Sequence, residues 1–294
     1  MSQRQKGILC IILSSFSFAL MNLFVHLAGD LPSIQKSFFR NFVAMLFALA
    51  ILIKEKPAIS LDKEAKGYLL YRSIFGTIGI VCNFYAVDHM VLSDASLLNK
   101  MSPFFAVLFA LLFLKEKINL FQLSSIILAF IGALFVVKPT GLNMDFLPAL
   151  IGLFGGICAG AAYTFVRAMG QKGVQGPVIV FFFSAFSCLA TLPYLIFQFH
   201  AMSLHQTMTL LLAGLAATGG QFGITAAYCY APAKEISVFD YSQIPFAALL
   251  GFLFFGQIPD LYSWFGYLII CSTALAMFLY LNEHFHKPKE VLTK

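Results

Sequence analysis

One lysine, Lys100, lies in the middle of an apolar run of the sequence, where a charge is costly. At the centre of a membrane-spanning helix that cost is about 2.5–3.5 kcal/mol on insertion scales. Four residues share one face of such a helix at the spacing i, i+3, i+4 and i+7: Ser96, Asn99, Lys100 and Pro103. The proline leaves the Asn99 carbonyl without its usual helical donor. This face predicts either a cation for a substrate carboxylate or phosphate, or a structural ion pair.

A second polar stripe contains an acid, Asp240, and again comes shortly before a proline. Ser237, Asp240 and Tyr241 follow the spacing i, i+3 and i+4, and Pro245 lies four residues after Tyr241. Asp240 has three candidate roles: binding a cationic group of a substrate, exchanging protons as a coupling carboxylate, or neutralising Lys100. The sequence leaves all three open.

Other polar residues in apolar runs are weaker candidates for a substrate site. Asn22, Tyr163 and Tyr85 can line a central cavity by position, and Arg40 suits a structural or gating pair. No catalytic residue is expected, because no HExxH or GxSxG motif occurs. The six cysteines show no CxxC spacing, so neither a metal nor a cofactor is expected. No GxxxxGK[ST] motif occurs, so ATP is not expected to drive the protein directly.

The composition shows which elements must position these residues. Hydrophobic residues make up 60% of the 294 residues and charged ones only 11%, against roughly 25% charged in soluble proteins. Apolar runs of about 20 residues predict an all-α integral membrane protein. The ten predicted transmembrane helices are 8–29, 33–53, 67–87, 92–114, 119–137, 147–170, 176–199, 208–230, 234–256 and 260–282.

The basic residues predict how these helices are oriented. With ten spans, 15 of the 19 Lys and Arg residues, Arg72 among them, fall on one side, and only Lys36 and Lys138 fall on the other. Arg40 and Lys100 remain within spans. Because cytoplasmic loops are rich in Lys and Arg, both termini are expected in the cytoplasm. The net charge of +6 thus reflects topology and lipid, and no nucleic-acid partner is expected.

The sequence also repeats itself. MSPFFAVLFALLFLKEKINLFQL, with Pro103, returns as SQIPFAALLGFLFFGQIPDLYSW, with Pro245, and the segment around Asn22 matches that around Tyr163. The two matches have nearly the same separation along the chain. Two five-helix repeats are therefore predicted, at 1–140 (helices 1–5) and 141–294 (helices 6–10 and a short cytoplasmic tail). Since five is odd, the second repeat must be inverted, a construction typical of secondary transporters.

These features resemble the EamA family of the drug/metabolite transporter superfamily, ten-helix carriers made of two such repeats. The resemblance covers nearly the whole chain and is most specific at the end of each repeat. There SDASLLNKMSP precedes FLKEK, with Glu116, and a helix with Gly132; Phe38, Phe39 and Arg40 also fit. The second repeat departs from the pattern, because Gln257 stands where the family usually has Glu.

The expected function is secondary active transport of a small polar metabolite by alternating access, with proton coupling or solute exchange. An amino acid or a related zwitterionic or anionic solute would suit one cation and one anion. The alternative, which the resemblance implies, is uptake of a nucleoside-type or vitamin cofactor such as S-adenosylmethionine or riboflavin. A membrane-embedded enzyme is a remote alternative. The expected partners are the substrate and the lipid of the inner membrane; a homodimer stays open.

Overall fold

The apolar runs form helices in the structure, a computed structural model that describes residues 1–56, 61–89, 98–137, 146–256 and 261–286. No strand occurs within these residues. The helices are α1 (Gln3–Leu27), α2 (Ser33–Glu55), α3 (Lys63–His89), α4 (Ser102–Phe113), α5 (Leu120–Val137), α6 (Phe146–Gln171), α7 (Gly176–Gln198), α8 (Leu204–Tyr230), α9 (Ala233–Asp240), α10 (Gln243–Phe255) and α11 (Leu261–His286).

The helices agree with the predicted all-α membrane protein. Among the described residues, seven segments are long and apolar enough to cross a membrane, and one of them, Ala233–Phe254, combines α9 and α10. Three shorter apolar helices, Ser102–Phe113, Leu120–Gly132 and Trp264–Tyr280, fall where the other predicted spans lie. The fold class is confirmed, and the count of ten spans is compatible with the structure.

Two predicted helices, 92–114 and 234–256, are not continuous. Residues 98 and 99 are helical, Lys100 and Met101 form a turn, and α4 begins at Ser102. Tyr241 and Ser242 likewise separate α9 from α10. Proline has no amide hydrogen to donate to a preceding carbonyl, so Pro103 is favoured in the first turn of a helix and disfavoured in its interior. The predicted single face through Lys100 is therefore interrupted at the lysine itself.

A further correction concerns Arg72, which the sequence placed at the basic end of a helix beginning near residue 67. The Asp62 carboxylate accepts the amide hydrogen of Ala65 at 2.7 Å and so caps the helix at its start. Helix α3 consequently begins at Lys63, and Arg72 lies more than two turns inside it. The Arg72 side chain is buried, with 2% of its surface exposed.

Polar contacts gather several helix ends at one end of the bundle, here called the amino-terminal end. The contacts are Arg4 with Glu235, Lys234 with the Lys117 carbonyl, Arg167 with Glu116, and Lys172 with Asp62. Helices α1, α3 and α9 therefore start at this end, whereas α4, α6 and α8 finish there. This alternation is the one that the predicted spans require.

The second half of the chain repeats the helix bounds of the first. Helix α8 has the same length as α3, 27 residues. The first residues of α3 and α8 are separated by a fixed number of residues. The first residues of α4 and α10, and those of α5 and α11, have the same separation. The packing follows the same rule: α1 packs mainly on α8, and α6 mainly on α3.

Equivalent helices of the two halves run in opposite directions, since α1 starts at the amino-terminal end and α6 finishes there. Together with the matching helix bounds, this direction supports the predicted inverted repeats. Their boundary at residue 140 falls outside the described residues.

Close packing of α6 depends on glycines that recur every four residues. A Cβ atom added at Gly156 would lie 2.5 Å from the Leu98 carbonyl oxygen, and one at Gly160 would lie 2.6 Å from Cβ of Phe105. The obstacle at Gly156 is backbone, which cannot rotate away. The small residues of α6 therefore let the fourth span approach closely, as expected for helix pairs in membranes.

We expect Gly156→Ala to destabilise the protein by about 1–3 kcal/mol, because overpacking forces the two backbones apart. The matched control is Gly67→Ala in α3, where an added Cβ meets nothing within 4 Å. That variant should be neutral or slightly more stable, since alanine favours helix. Thermal unfolding of both proteins in the same detergent measures the difference; equal melting temperatures would contradict the packing described for α6.

Candidate functional site

Lys100 and Asp240 form an ion pair inside the bundle, at the breaks of the fourth and ninth spans. The Lys100 ammonium lies 3.3 Å from Oδ2 of Asp240. It also donates hydrogen bonds to Oε1 of Gln243 at 2.7 Å and to the Asp240 carbonyl at 3.4 Å. Both residues are buried, with 8% and 3% of their surfaces exposed. Of the roles open to Asp240, neutralising Lys100 is therefore the one visible in this conformation.

The break after α9 provides a second acceptor at this site. Helix α9 ends at Asp240, and the Asp240 carbonyl is reached by Lys100 and by Ser15 of α1. The Ser15 hydroxyl lies 3.3 Å from that carbonyl and 3.4 Å from Oδ1 of the same residue. Sequence reasoning missed Ser15 and Gln243, although both are polar residues in apolar runs. Broken helices that expose carbonyls at mid-depth commonly form ligand and ion sites in transporters.

Three tyrosines interact electrostatically with the acid of this pair. The hydroxyls of Tyr163, Tyr228 and Tyr241 all lie within electrostatic range of the Asp240 carboxylate. The rings of Tyr163 and Tyr228 are stacked, with centroids 5.0 Å apart. The Tyr241 hydroxyl is buried and has no hydrogen-bond partner among the described residues. An unsatisfied buried hydroxyl carries a penalty, so this group is suited to bind a polar ligand.

Two arginines interact electrostatically with one of these tyrosines, Tyr163. The Arg40 and Arg72 side chains, 7% and 2% exposed, lie within electrostatic range of the Tyr163 hydroxyl. The Arg72 guanidinium carbon is 3.9 Å from the centroid of the Phe183 ring. The structural or gating pair expected for Arg40 is not present within the described residues. Arg72 was missed because the start of α3 was placed too late.

Other predicted site residues lie apart from the pair or give no contact with it. Within the described part of the chain, no hydrogen bond, ion pair or ring contact joins Asn22 or Tyr85 to Lys100 or Asp240. Asn22 is exposed, and Tyr85 is stacked on His89 at the end of α3, with ring centroids 4.0 Å apart. Asn99 is half-buried beside the break, and Ser96 lies outside the described residues. Their roles stay predictions.

Paired charges at the meeting point of two broken spans define a class: a polytopic membrane protein with an internal polar site, as transporters have. The sequence profile of the EamA-like transporter family matches residues 5–138. The pseudopaline exporter CntI of Pseudomonas aeruginosa is 32% identical over 275 residues, which are 93% of this chain and 96% of that protein. The chain therefore belongs to the EamA-like transporter family and is a membrane transporter.

Further relatives differ in the cargo that their names give. A riboflavin transporter of Rhizobium johnstonii is 27% identical over 96% of this chain and 93% of that protein. Solute carrier family 35 member G1 of Mus musculus is also 27% identical, over 91% of this chain and 77% of that protein. A crystal structure with 13% identity matches 96% of this chain with a TM-score of 0.80. That likeness concerns the fold alone.

Removing one partner of the Lys100–Asp240 pair should destabilise the protein by about 3–5 kcal/mol, because the other charge stays buried without compensation. We therefore expect low melting temperatures for Lys100→Met and Asp240→Leu, and recovery of most of the loss in the double variant. Lys172→Met is the control: its ion pairs with Asp62 and Glu64 lie at the surface and should contribute about 1 kcal/mol or less. A double variant as unstable as either single variant would contradict a direct pair.

Proposed function

We propose that the protein is a secondary active transporter that moves a small polar metabolite by alternating access, with its substrate site at the Lys100–Asp240 pair. The observation that carries the proposal is the position of this pair. Each charge belongs to a different half of the chain, and each lies at the break of a span. A solute bound there contacts both halves at once, so its binding can be coupled to their relative movement.

The chemistry of the pair favours an amino acid or a related zwitterionic or anionic solute. A substrate carboxylate can replace Asp240 as the partner of Lys100, while a substrate ammonium takes over Asp240. Neither charge is then left buried alone, which otherwise costs several kcal/mol. In the absence of substrate the two side chains pair with each other, as they do in this conformation. Substrate binding thereby breaks the ion pair that joins the two halves, which lets them separate.

The Asp240 carboxylate also provides one way to drive transport. Asp240 can exchange a proton with one side of the membrane when the pair opens, which would couple uptake or export to a proton gradient. Exchange of one solute for another needs no such step, because the leaving and entering solutes compensate the same charges. Transport with and without a pH gradient distinguishes these two mechanisms.

The second candidate is uptake of a nucleoside-type or vitamin cofactor. The observation that favours it is the stacked pair Tyr163 and Tyr228 beside Asp240, since aromatic faces bind flat ring systems. The kinship with a riboflavin transporter agrees with this candidate, whereas the kinship with a pseudopaline exporter points to a different cargo. A membrane-embedded enzyme remains the remote alternative.

Uptake into liposomes tests the proposal. Purified protein is screened for thermal stabilisation by a panel of metabolites, and the solutes that stabilise it are followed as radiolabelled uptake. We expect at least one of them to enter faster than into empty liposomes. The double variant Lys100→Met with Asp240→Leu should fold yet transport at least tenfold more slowly, because its site has lost both charges. Lys172→Met, at the surface, should transport at the wild-type rate.

Two results would count against this proposal in different ways. If no stabilising solute enters faster than into empty liposomes, secondary transport is refuted. If the folded double variant transports at the wild-type rate, transport stands but the site lies elsewhere. Asp240→Asn tests the coupling: unchanged acceleration by a pH gradient would exclude Asp240 as the proton carrier.

We further propose that the protein lies in the inner membrane with both termini in the cytoplasm, because Lys and Arg gather at the amino-terminal end. In a variant without its six cysteines, Ala201→Cys should react with a membrane-impermeant maleimide added to spheroplasts. Gln3→Cys should react only after the membrane is permeabilised. Both positions are exposed. The opposite labelling pattern would reverse the orientation.

A further inference from the structure

Two buried arginines carry positive charge that no anion in the described part of the chain compensates. Nε and Nη1 of Arg40 and Nε of Arg72 are buried without a hydrogen-bond partner. The described ion pairs all involve other cations: Arg4, Lys100, Arg167 and Lys172. The buried carboxylates Glu235 and Asp240 are thus already paired, with Arg4 and Lys100 respectively.

Both guanidinium groups lie deep in the bundle. Arg40 is seven residues from the start of α2 and Arg72 nine residues from the start of α3, or about 10 and 14 Å at 1.5 Å per residue. Both residues are buried, so neither guanidinium group lies at the surface of the bundle. An isolated charge at such depth is strongly unfavourable, and charged residues there usually mark the path of a ligand.

The surroundings of Arg72 hold the guanidinium group in place. A Cβ atom at Gly76 would clash with Nη1 of Arg72 and would lie 2.7 Å from the Phe183 ring. Only glycine therefore leaves room for the guanidinium group, which lies against the ring face of Phe183. A guanidinium covered on its face still presents its N–H edge, the part that binds carboxylate or phosphate with two parallel hydrogen bonds.

Arg40 has a related but looser arrangement. Its guanidinium carbon lies 5.8 Å from the centroid of the Phe18 ring. That ring lies against Gly220, where an added Cβ would be 2.6 Å from it. The charges of Arg40 and Arg72 act on each other and on the Tyr163 hydroxyl. The electrostatic influence of both guanidinium groups thus reaches one tyrosine, which Asp240 also influences.

We infer that the cargo is an anion with two or more acidic groups, one of which is bound by the N–H edges of Arg40 and Arg72 beside Tyr163. This inference rests on the proposed transport function and specifies the substrate class of the same site. The four charges of this site, Arg40, Arg72, Lys100 and Asp240, sum to +2. A neutral zwitterion leaves this excess unchanged, whereas a dicarboxylate or polycarboxylate, or a phosphorylated metabolite, neutralises most of it.

Thermal stabilisation by charge-matched probes tests the substrate class. Citrate, glutamate, glutamine and inorganic phosphate are added to the purified protein at one ionic strength. We expect citrate and glutamate to raise the melting temperature by several degrees, and glutamine, which lacks the second carboxylate, not to do so. A shift with phosphate but not with citrate would assign the site to phosphate esters. Sodium chloride at the same ionic strength is the control. If no anionic probe raises the melting temperature more than sodium chloride does, the inference is overturned.

Arg40→Met and Arg72→Met should abolish stabilisation by the anion. Their controls, Lys54→Met on α2 and Lys66→Met on α3, remove the same charge from exposed positions and should keep it. Without ligand, Arg72→Met should melt about 2–4 °C higher than the wild type, because an uncompensated charge has been removed. A lower melting temperature for both arginine variants would mean that the arginines are structural, which would overturn the inference.

Gly76→Ala provides a test that leaves every charge in place. Its added Cβ must displace the Arg72 guanidinium, so the anion should bind at least threefold more weakly. Unchanged binding would contradict the position assigned to Arg72. In liposomes, faster uptake of glutamine than of glutamate or citrate would overturn the anionic class while leaving transport intact. Failure of every solute to enter would instead refute the proposed function.

Discussion

A charge inside a bilayer has no water to solvate it, and this constraint governs how the two broken spans meet. The breaks at Lys100–Met101 and Tyr241–Ser242 free backbone groups at a depth where lipid offers no partner. The ammonium group of Lys100 and the hydroxyl of Ser15 satisfy the Asp240 carbonyl, and the Asp240 carboxylate neutralises Lys100. The break and the ion pair therefore depend on each other, and both require contact between the two halves.

The scaffold is duplicated, but its charges are not. The shift in numbering that relates the start of α3 to the start of α8 also relates Lys100 to Tyr241 and Asn99 to Asp240. The same shift relates Arg40 to Phe181 and Arg72 to Ala213. Each of these four charges thus has an uncharged counterpart in the other half. In the proposed mechanism the two similar halves move against each other, and their unequal charges make the site between them selective.

The sequence predicted the helices well because lipid-facing helices need about 20 apolar residues, and because charges and prolines mark their ends. Lys100 and Asp240 could be found for the same reason: a charge in an apolar run is conspicuous. Their contact was one of three roles that the sequence left open for Asp240, since spacing along one helix says nothing about the facing helix. Arg72 was misplaced by one local interaction, the Asp62 cap that extends α3 by a full turn. The spacing of Arg72 and Gly76, four residues apart, was the available signal.

If the cargo binds as proposed, Lys100 behaves differently from Arg40 and Arg72 when the cargo leaves. Lys100 recovers Asp240 as its partner, so this part of the empty site returns to a compensated state. Arg40 and Arg72 have no such internal partner among the described residues. An empty carrier that reoriented would have to move their charge through the membrane field, at about 2.3 kcal/mol per charge for each 100 mV crossed. A carrier loaded with a dianion moves almost no net charge. Exchange of one anion for another would therefore face a lower barrier than return of the empty protein, because a second anion replaces the missing partner of the arginines.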